Sequence, residues 1–233
     1  MEDACQAARD GRLQYFEALE DGKVTALLRQ TDEDGRTLLH NAVAGKNSAL
    51  AKWILGHGAE CNTADDEGWT PLHTAASIGN MVAVDILLDA GAAADPRNSF
   101  GCTPLHYAVS KGWAQIVTRL LDAGASPNSA DRNRGTPLQK AAVKGRAPFV
   151  SQLLEKGAKL DATDATGSTA LHLAVGSGAK DVAILLIAKG ADVEAEDENG
   201  ETPLSLAGDM RPALVAVATA VRNGTINEME FEM

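Results

Sequence analysis

Apolar and polar residues along the chain follow a pattern that returns every 33 residues without an insertion. A threonine opens each period, a leucine stands two residues later, and in four of the six periods a histidine stands three residues later. The six threonines are Thr37, Thr70, Thr103, Thr136, Thr169 and Thr202. A fixed period of this length is typical of a protein built from stacked structural repeats.

Each period contains two predicted helices. Thr is a good N-cap, because its hydroxyl accepts a hydrogen bond from a backbone N–H in the first turn, and a following Pro fits the first helical position. A histidine three residues after Thr is placed to reach back to the same cap. The second helix carries a pair of large aliphatic residues, as at Leu87-Leu88 and Leu120-Leu121, and a Gly-Ala pair ends it.

Glycine and aspartate mark the turns between these helices. We expect a left-handed glycine after the first helix, at Gly79, Gly112, Gly145 and Gly178. Asp, or once Asn, stands five residues before each threonine and predicts an Asp-x-x-Gly turn that makes a hairpin loop. Two repeats reverse the usual order, at Gly45-Lys46 and at Arg134-Gly135, and we expect local strain or tuning there.

The period divides the chain into seven modules. Residues 1–31 and 197–226 keep only part of the pattern, as expected of terminal caps that face water on one side. The five full modules between them are 32–64, 65–97, 98–130, 131–163 and 164–196. We therefore expect a single domain over residues 1–226, followed by an acidic, flexible tail at 227–233.

The 33-residue period with Thr-Pro-Leu-His resembles the ankyrin-repeat family, and the resemblance covers residues 1 to about 224. It implies an all-α solenoid of seven helix–turn–helix modules joined by β-hairpin loops. It also implies a non-enzymatic, protein-binding role for the concave face, which the loop tips and the exposed sides of the first helices form.

Composition narrows the class of protein. Only four Phe, three Trp and two Tyr are present among 233 residues, so the core must consist of thin layers of small aliphatic side chains. The net charge of −11 argues against non-specific nucleic-acid binding and against an anionic membrane surface. No apolar stretch approaches the roughly 20 residues that span a bilayer.

The cysteines and the amino terminus point to a reducing compartment. Cys5, Cys61 and Cys102 are odd in number and far apart, and they form neither a disulfide framework nor a metal-binding pair. The first residues carry neither the basic start nor the apolar stretch of a signal peptide. We expect a monomeric protein of the cytoplasm and nucleus.

The sequence offers no catalytic constellation, so we expect no enzyme activity and neither a cofactor nor a metal. His40, His73, His106 and His172 occupy the capping position, where we expect caps and buried hydrogen bonds rather than catalysis or metal binding. The carboxylate clusters at 32–34 and 65–67 fall on predicted turns and are interpreted as solvated loops.

The repeat register predicts a partner-binding surface. Residues just before the threonines lie near the loop tips, and residues four or more after them lie on the exposed side of the first helices. The candidate binding residues are Arg36, Trp69, Cys102, Tyr107, Lys111, Lys140 and Lys144. Trp and Tyr often carry interface energy, but packing of Trp69 and Phe100 between neighbouring hairpins remains an alternative.

Charge is distributed unevenly over the modules. Module 131–163 has a net charge of +4, whereas the modules at both ends of the chain are acidic. A basic band between acidic ends predicts a partner with mixed, complementary charge. Scattered, solvated lysines are the alternative for the members on the second helix.

Arg36, Trp69, Cys102 and Lys111 are not required by the repeat itself, and at these positions the chain resembles the gankyrin family of proteasome regulatory-particle assembly chaperones. The resemblance implies that the concave face binds the carboxy-terminal helical domain of a proteasomal ATPase subunit. The chain reads Leu173-Ala-Val-Gly-Ser177 where that family has a retinoblastoma-binding Leu-x-Cys-x-Glu site, which puts that partner in doubt. The alternative function is a regulatory adaptor or inhibitor that docks a kinase or a transcription factor on the same face.

Overall fold

The computed structural model describes residues 2–225, so the predicted tail at 227–233 lies outside the described residues. The chain divides into two compact units, one ending at Ser126 and one beginning at Pro127. Each unit is a stack of short helices joined by tight loops. The prediction of a single domain over residues 1–226 stays a prediction.

The amino-terminal unit holds nine of the helices in the described part of the chain. The first module contains three short ones, and each of the next three modules contains a pair that packs on the pair of its neighbour. The helices are α1 Glu2–Arg9, α2 Leu13–Glu17, α3 Asp21–Leu28, α4 Leu38–Ala44, α5 Ser48–Gly56, α6 Pro71–Ile78, α7 Met81–Asp89, α8 Pro104–Lys111 and α9 Ala114–Asp122.

The carboxy-terminal unit repeats the same arrangement. First helices pack on first helices and second helices on second helices along the stack. The helices are α10 Pro137–Val143, α11 Ala147–Glu155, α12 Ala170–Gly176, α13 Lys180–Ala188, α14 Pro203–Leu206 and α15 Arg211–Arg222, with a 3₁₀ turn at Gly208–Met210.

A threonine begins each first helix from α4 onward. In α6, the Thr70 side chain and the His73 backbone N–H form one half of a capping box, and the His73 Nδ1 accepts the Thr70 N–H at 3.1 Å to form the other half. The same box stands at α4, α8, α10, α12 and α14. The predicted capping role of the Thr and His positions is therefore confirmed.

The loops before these threonines are tight turns. In the loop at 65–69, the Asp65 N–H donates to the Trp69 carbonyl at 2.8 Å and the Gly68 N–H donates to the Asp65 carbonyl at 2.8 Å. The Asp65 carboxylate also accepts the Glu67 and Trp69 N–H groups at 3.0 and 2.7 Å. Within residues 2–225 the hairpin loops contain no β-strand, and a single isolated bridge joins Thr31 to Thr37.

The two reversed dipeptides produce the only non-glycine residues with positive φ among those described. Lys46 (φ 59°) stands where the next repeats have a left-handed glycine after the first helix. Arg134 (φ 60°) stands where the other loop tips have a left-handed glycine. Gly45 precedes Lys46 because a Cβ at that position would overlap the carbonyl oxygen of Arg9 in α1. The predicted strain therefore has a packing reason at Gly45-Lys46.

The core is a series of thin aliphatic layers, as the scarcity of aromatic residues predicts. Apart from Phe16, the largest fully buried side chains in the described residues are all leucine or isoleucine. Alanines on the first helices, such as Ala75 and Ala108, are completely buried and let adjacent helices approach closely. Each fully buried Leu contributes about 1.5–3 kcal/mol of hydrophobic stabilisation.

Candidate protein-binding surfaces

The histidines at the capping positions serve the fold and are not open to a ligand. The His73 ring is completely buried, with Nδ1 on Thr70 and Nε2 3.0 Å from the Cys102 carbonyl of the next loop. Because a backbone N–H can only donate, Nδ1 is the acceptor and Nε2 carries the proton that the carbonyl accepts. His40 and His172 make the same link to the following loop, at 2.9 and 3.1 Å.

Burial lowers the pKa of His40 and of His73. Desolvation is the main cause for His73, whose pKa falls to about 4, and the hydrogen bond to Cys102 opposes it only in part. Desolvation also lowers the pKa of His40. Both imidazoles are therefore neutral at physiological pH and hold successive repeats together as neutral hydrogen-bonding groups.

Arg36 lies at the first loop tip of the amino-terminal unit and is exposed over 44% of its side chain. Its guanidinium is 3.4 Å from the Asp34 carboxylate and 3.4 Å from the buried carboxylate of Asp65. These distances exceed the 2.7–2.9 Å of a strong charge-assisted hydrogen bond. Arg36 is therefore loosely held by its own chain, and its exposed N–H groups face solvent.

Trp69 and Tyr107 form an aromatic pair beside Arg36. The two rings lie 4.6 Å apart between centroids, at 41°, and both side chains are half-buried. The Tyr107 hydroxyl accepts a hydrogen bond from Asn98 at 2.7 Å, and burial raises the pKa of Tyr107 above its ordinary value. The pair thus joins two neighbouring repeats and still presents ring surface to solvent. The packing role and the binding role predicted for Trp69 are compatible.

The other predicted residues of this unit adjoin the aromatic pair. Cys102 is half-buried next to Tyr107, and Lys111 lies one helical turn beyond Tyr107, exposed on the same side of α8. We call the residues Arg36, Trp69, Cys102, Tyr107 and Lys111 the Trp69 surface. A cleft of about 180 Å³ opens between the loop tips and the first helices, with Arg36 and Trp69 in its wall.

Lys140 and Lys144 lie in the carboxy-terminal unit. The Lys140 ammonium is 2.8 Å from the Asp131 carboxylate, which is 6% exposed. Burial alone would raise the pKa of Asp131, but the hydrogen bonds from Lys140 and from two loop N–H groups outweigh it and lower the pKa. Lys144 ends α10 one turn after Lys140 and is exposed.

A family model that describes three copies of the ankyrin repeat matches the chain over four overlapping ranges, residues 39–131, 76–164, 115–197 and 159–217. These matches cover most of the chain. The chain belongs to the ankyrin-repeat family. Ankyrin repeats are protein-interaction scaffolds and in general are not enzymes. Among curated proteins, none matches the chain in a sequence comparison.

Neither a metal-binding cluster nor a membrane-spanning helix is found among residues 2–225. No group of three or more His, Cys, Asp or Glu side chains is placed to hold a metal ion. No helix in this range is long and apolar enough to cross a membrane.

One contact of the ankyrin loops was missed by the sequence reasoning. In three of the repeats, the residue four after the Thr reaches the first residue of the preceding loop, nine positions earlier. The pairs are Asn41 with Asp32 at 2.9 Å, Tyr107 with Asn98 at 2.7 Å and Lys140 with Asp131 at 2.8 Å. The constant nine-residue spacing of polar pairs was the signal that could have revealed it.

Proposed function

We propose that this ankyrin-repeat chain is a non-enzymatic assembly chaperone of the gankyrin type. In this proposal the Trp69 surface binds the carboxy-terminal helical domain of one proteasomal ATPase subunit, in the cytoplasm and nucleus. Binding masks that subunit within an assembly intermediate until the core particle displaces the chaperone. The resemblance at Arg36, Trp69, Cys102 and Lys111 supplies the identity of the partner.

The observation that supports the proposal is the chemistry of the Trp69 surface. Trp69 and Tyr107 give an aromatic centre whose geometry is fixed by ring contact, and such residues supply much of the energy of protein interfaces. Arg36 shares a cleft wall with Trp69, and Lys111 is an exposed cation one helical turn beyond Tyr107. A helical partner with an apolar stripe flanked by carboxylates is complementary to this arrangement.

The loose hold on Arg36 also supports an interface. When a partner carboxylate replaces Asp34, Arg36 exchanges a 3.4 Å contact for a bidentate contact with shorter hydrogen bonds. This exchange does not expose the Asp65 carboxylate, because Asp65 keeps its two backbone N–H donors. Neutral and shape-conserving replacement of Arg36 therefore tests binding with little effect on the fold.

The test is retention of purified carboxy-terminal domains of the individual proteasomal ATPase subunits on the immobilised full chain. We expect one of them to be retained. Lys111→Glu should weaken its binding about tenfold, since a rim cation is lost and a repulsion is added. Lys52→Glu on α5 has the same charge change on a second helix and should leave binding within twofold of the wild type.

Arg36→Gln gives a second variant in the same assay, with an expected loss of about two- to fivefold. Retention of none of the domains contradicts the proposal. Equal losses for Lys111→Glu and Lys52→Glu would also contradict it, because net charge and not the Trp69 surface would then govern binding.

A further inference from the structure

The first loop of the carboxy-terminal unit differs in charge from the loops that follow it. The loop at 131–135 carries two arginines and one carboxylate, that of Asp131, whereas the loop at 164–168 carries one carboxylate and the loop at 197–201 carries three, both without a cation. First helices of neighbouring repeats pack roughly 8–10 Å apart, so the basic and acidic loops, two repeats apart, are separated by roughly two screening lengths at physiological salt. Each loop therefore presents a field of its own sign.

Four cations face solvent around the first loop and the first helix that follows it. We call Arg132, Arg134, Lys140 and Lys144 the Lys140 surface. Arg132, Arg134 and Lys144 are exposed, and Lys140 is half-exposed. Within residues 2–225, Lys140 alone among the four has a carboxylate within ion-pair distance, and that carboxylate is the buried Asp131. Three cationic groups of the surface are thus left without an internal counter-charge.

The backbone of this loop holds an arginine at a cost in strain. Arg134 adopts φ 60°, a conformation that costs a non-glycine residue about 1–2 kcal/mol, whereas the loops at 164–168 and 197–201 use Gly167 and Gly200 there. Its guanidinium donates to the Thr163 hydroxyl at 3.2 Å, which directs it along the loop tips. Glycine at this position would remove the strain and the guanidinium together, so substitution of Arg134 tests the side chain directly.

The residue after Arg134 is a glycine, which has no side chain. Gly135 occupies the position of the large loop-tip residues such as Arg36 and Trp69 in the other repeats. Gly135 is buried, and a Cβ there would lie 3.1 Å from the Asp131 carboxylate oxygens, so the glycine leaves room for the Lys140–Asp131 ion pair.

We propose that the Lys140 surface is a docking site for an acidic segment of a partner protein, with Asp or Glu side chains meeting Arg132, Arg134 and Lys144. The inference rests on the protein-binding role of the repeats and not on the identity of the ATPase partner.

Fluorescence anisotropy with the full chain tests whether the Lys140 surface binds an acidic segment. The probe is a fluorescein-labelled decapeptide of alternating Glu and Ser. Its binding is compared with that of a labelled decapeptide of alternating Lys and Ser and with that of a labelled ten-nucleotide oligothymidine. We expect saturable binding of the acidic peptide that weakens with added salt. The double variant Arg132→Glu, Lys144→Glu should weaken it at least tenfold. The matched double variant Lys156→Glu, Lys159→Glu, in the same module, should change it less than twofold.

Arg134→Gly separates function from fold. Because glycine relieves the strained φ, we expect a higher urea midpoint together with binding that is about two- to fivefold weaker. A lower midpoint would make Arg134 a structural residue and overturn the inference. Absence of binding at low salt, equal losses in the two double variants, or tighter binding of the oligothymidine would also overturn it. None of these outcomes bears on retention of the ATPase domains by the Trp69 surface.

Discussion

Protonation of His73 should weaken the fold in a defined pH window. The pKa of His73 is about 4 in the folded chain, against about 6.5 for a histidine in an unfolded one. Because the unfolded state binds more protons between these values, stability is full above pH 6.5 and falls as the pH drops towards 4. Between pH 7 and pH 5 the linkage amounts to about 2 kcal/mol for this one ring.

The chain itself supplies the variant that isolates this effect. Gln139 occupies the same position in another repeat, where its Oε1 accepts the Thr136 N–H at 2.8 Å and its Nε2 donates to the Ser168 carbonyl at 2.8 Å. His73→Gln should therefore keep both hydrogen bonds and lose only the ability to take up a proton. Other titrating groups, His40 among them, are common to both proteins and cancel in the comparison.

Urea denaturation, followed by circular dichroism and by tryptophan fluorescence, measures the difference. The wild type should lose about 2 kcal/mol more than His73→Gln between pH 7 and pH 5. The comparison is quantitative where the two probes give coincident transitions. The same pH dependence in both proteins would refute the reasoning, since it would show that protonation of the ring costs no more in the folded chain than in the unfolded one.

Three further substitutions test the local arguments by their effect on the urea midpoint. Lys46→Gly should raise the free energy of unfolding by about 0.5–1 kcal/mol because it relieves a left-handed lysine, whereas Gly45→Ala should lower it, because a Cβ there overlaps the Arg9 carbonyl. Thr169→Ala should cost about 1 kcal/mol through loss of the cap of α12. A destabilising Lys46→Gly, or a neutral result for either of the other two, would contradict these accounts.

The repeat sequence predicts local structure because each signal acts over a few residues. The Thr70–His73 box depends on three-residue spacing, and the reversed Gly45-Lys46 pair is visible in the sequence as a departure from the period. The overlap that makes Gly45 necessary depends on α1, which lies far away in sequence and packs on α4. Contacts of that kind need the stacked structure.

The candidate surfaces were predicted less completely for the same reason. The register places Trp69 and Tyr107 on the exposed side, but their mutual contact joins residues 38 positions apart. Lys140 was predicted to bind a partner, and the structure shows that it also holds the buried Asp131 carboxylate. Side chains at loop tips satisfy their own loops first, and only the remaining exposed groups are available to a partner.

Hydroxyl-radical footprinting of the chain, alone and bound to the retained ATPase carboxy-terminal domain, tests the central claim most directly. The aromatic residues of the ankyrin-repeat chain report on different parts of the amino-terminal unit. Trp69 and Tyr107 belong to the Trp69 surface, and Trp53 lies on the second helix α5. The account predicts protection of Trp69 and Tyr107 in the complex and no change at Trp53. Protection of Trp53 with unchanged labelling of Trp69 would contradict it.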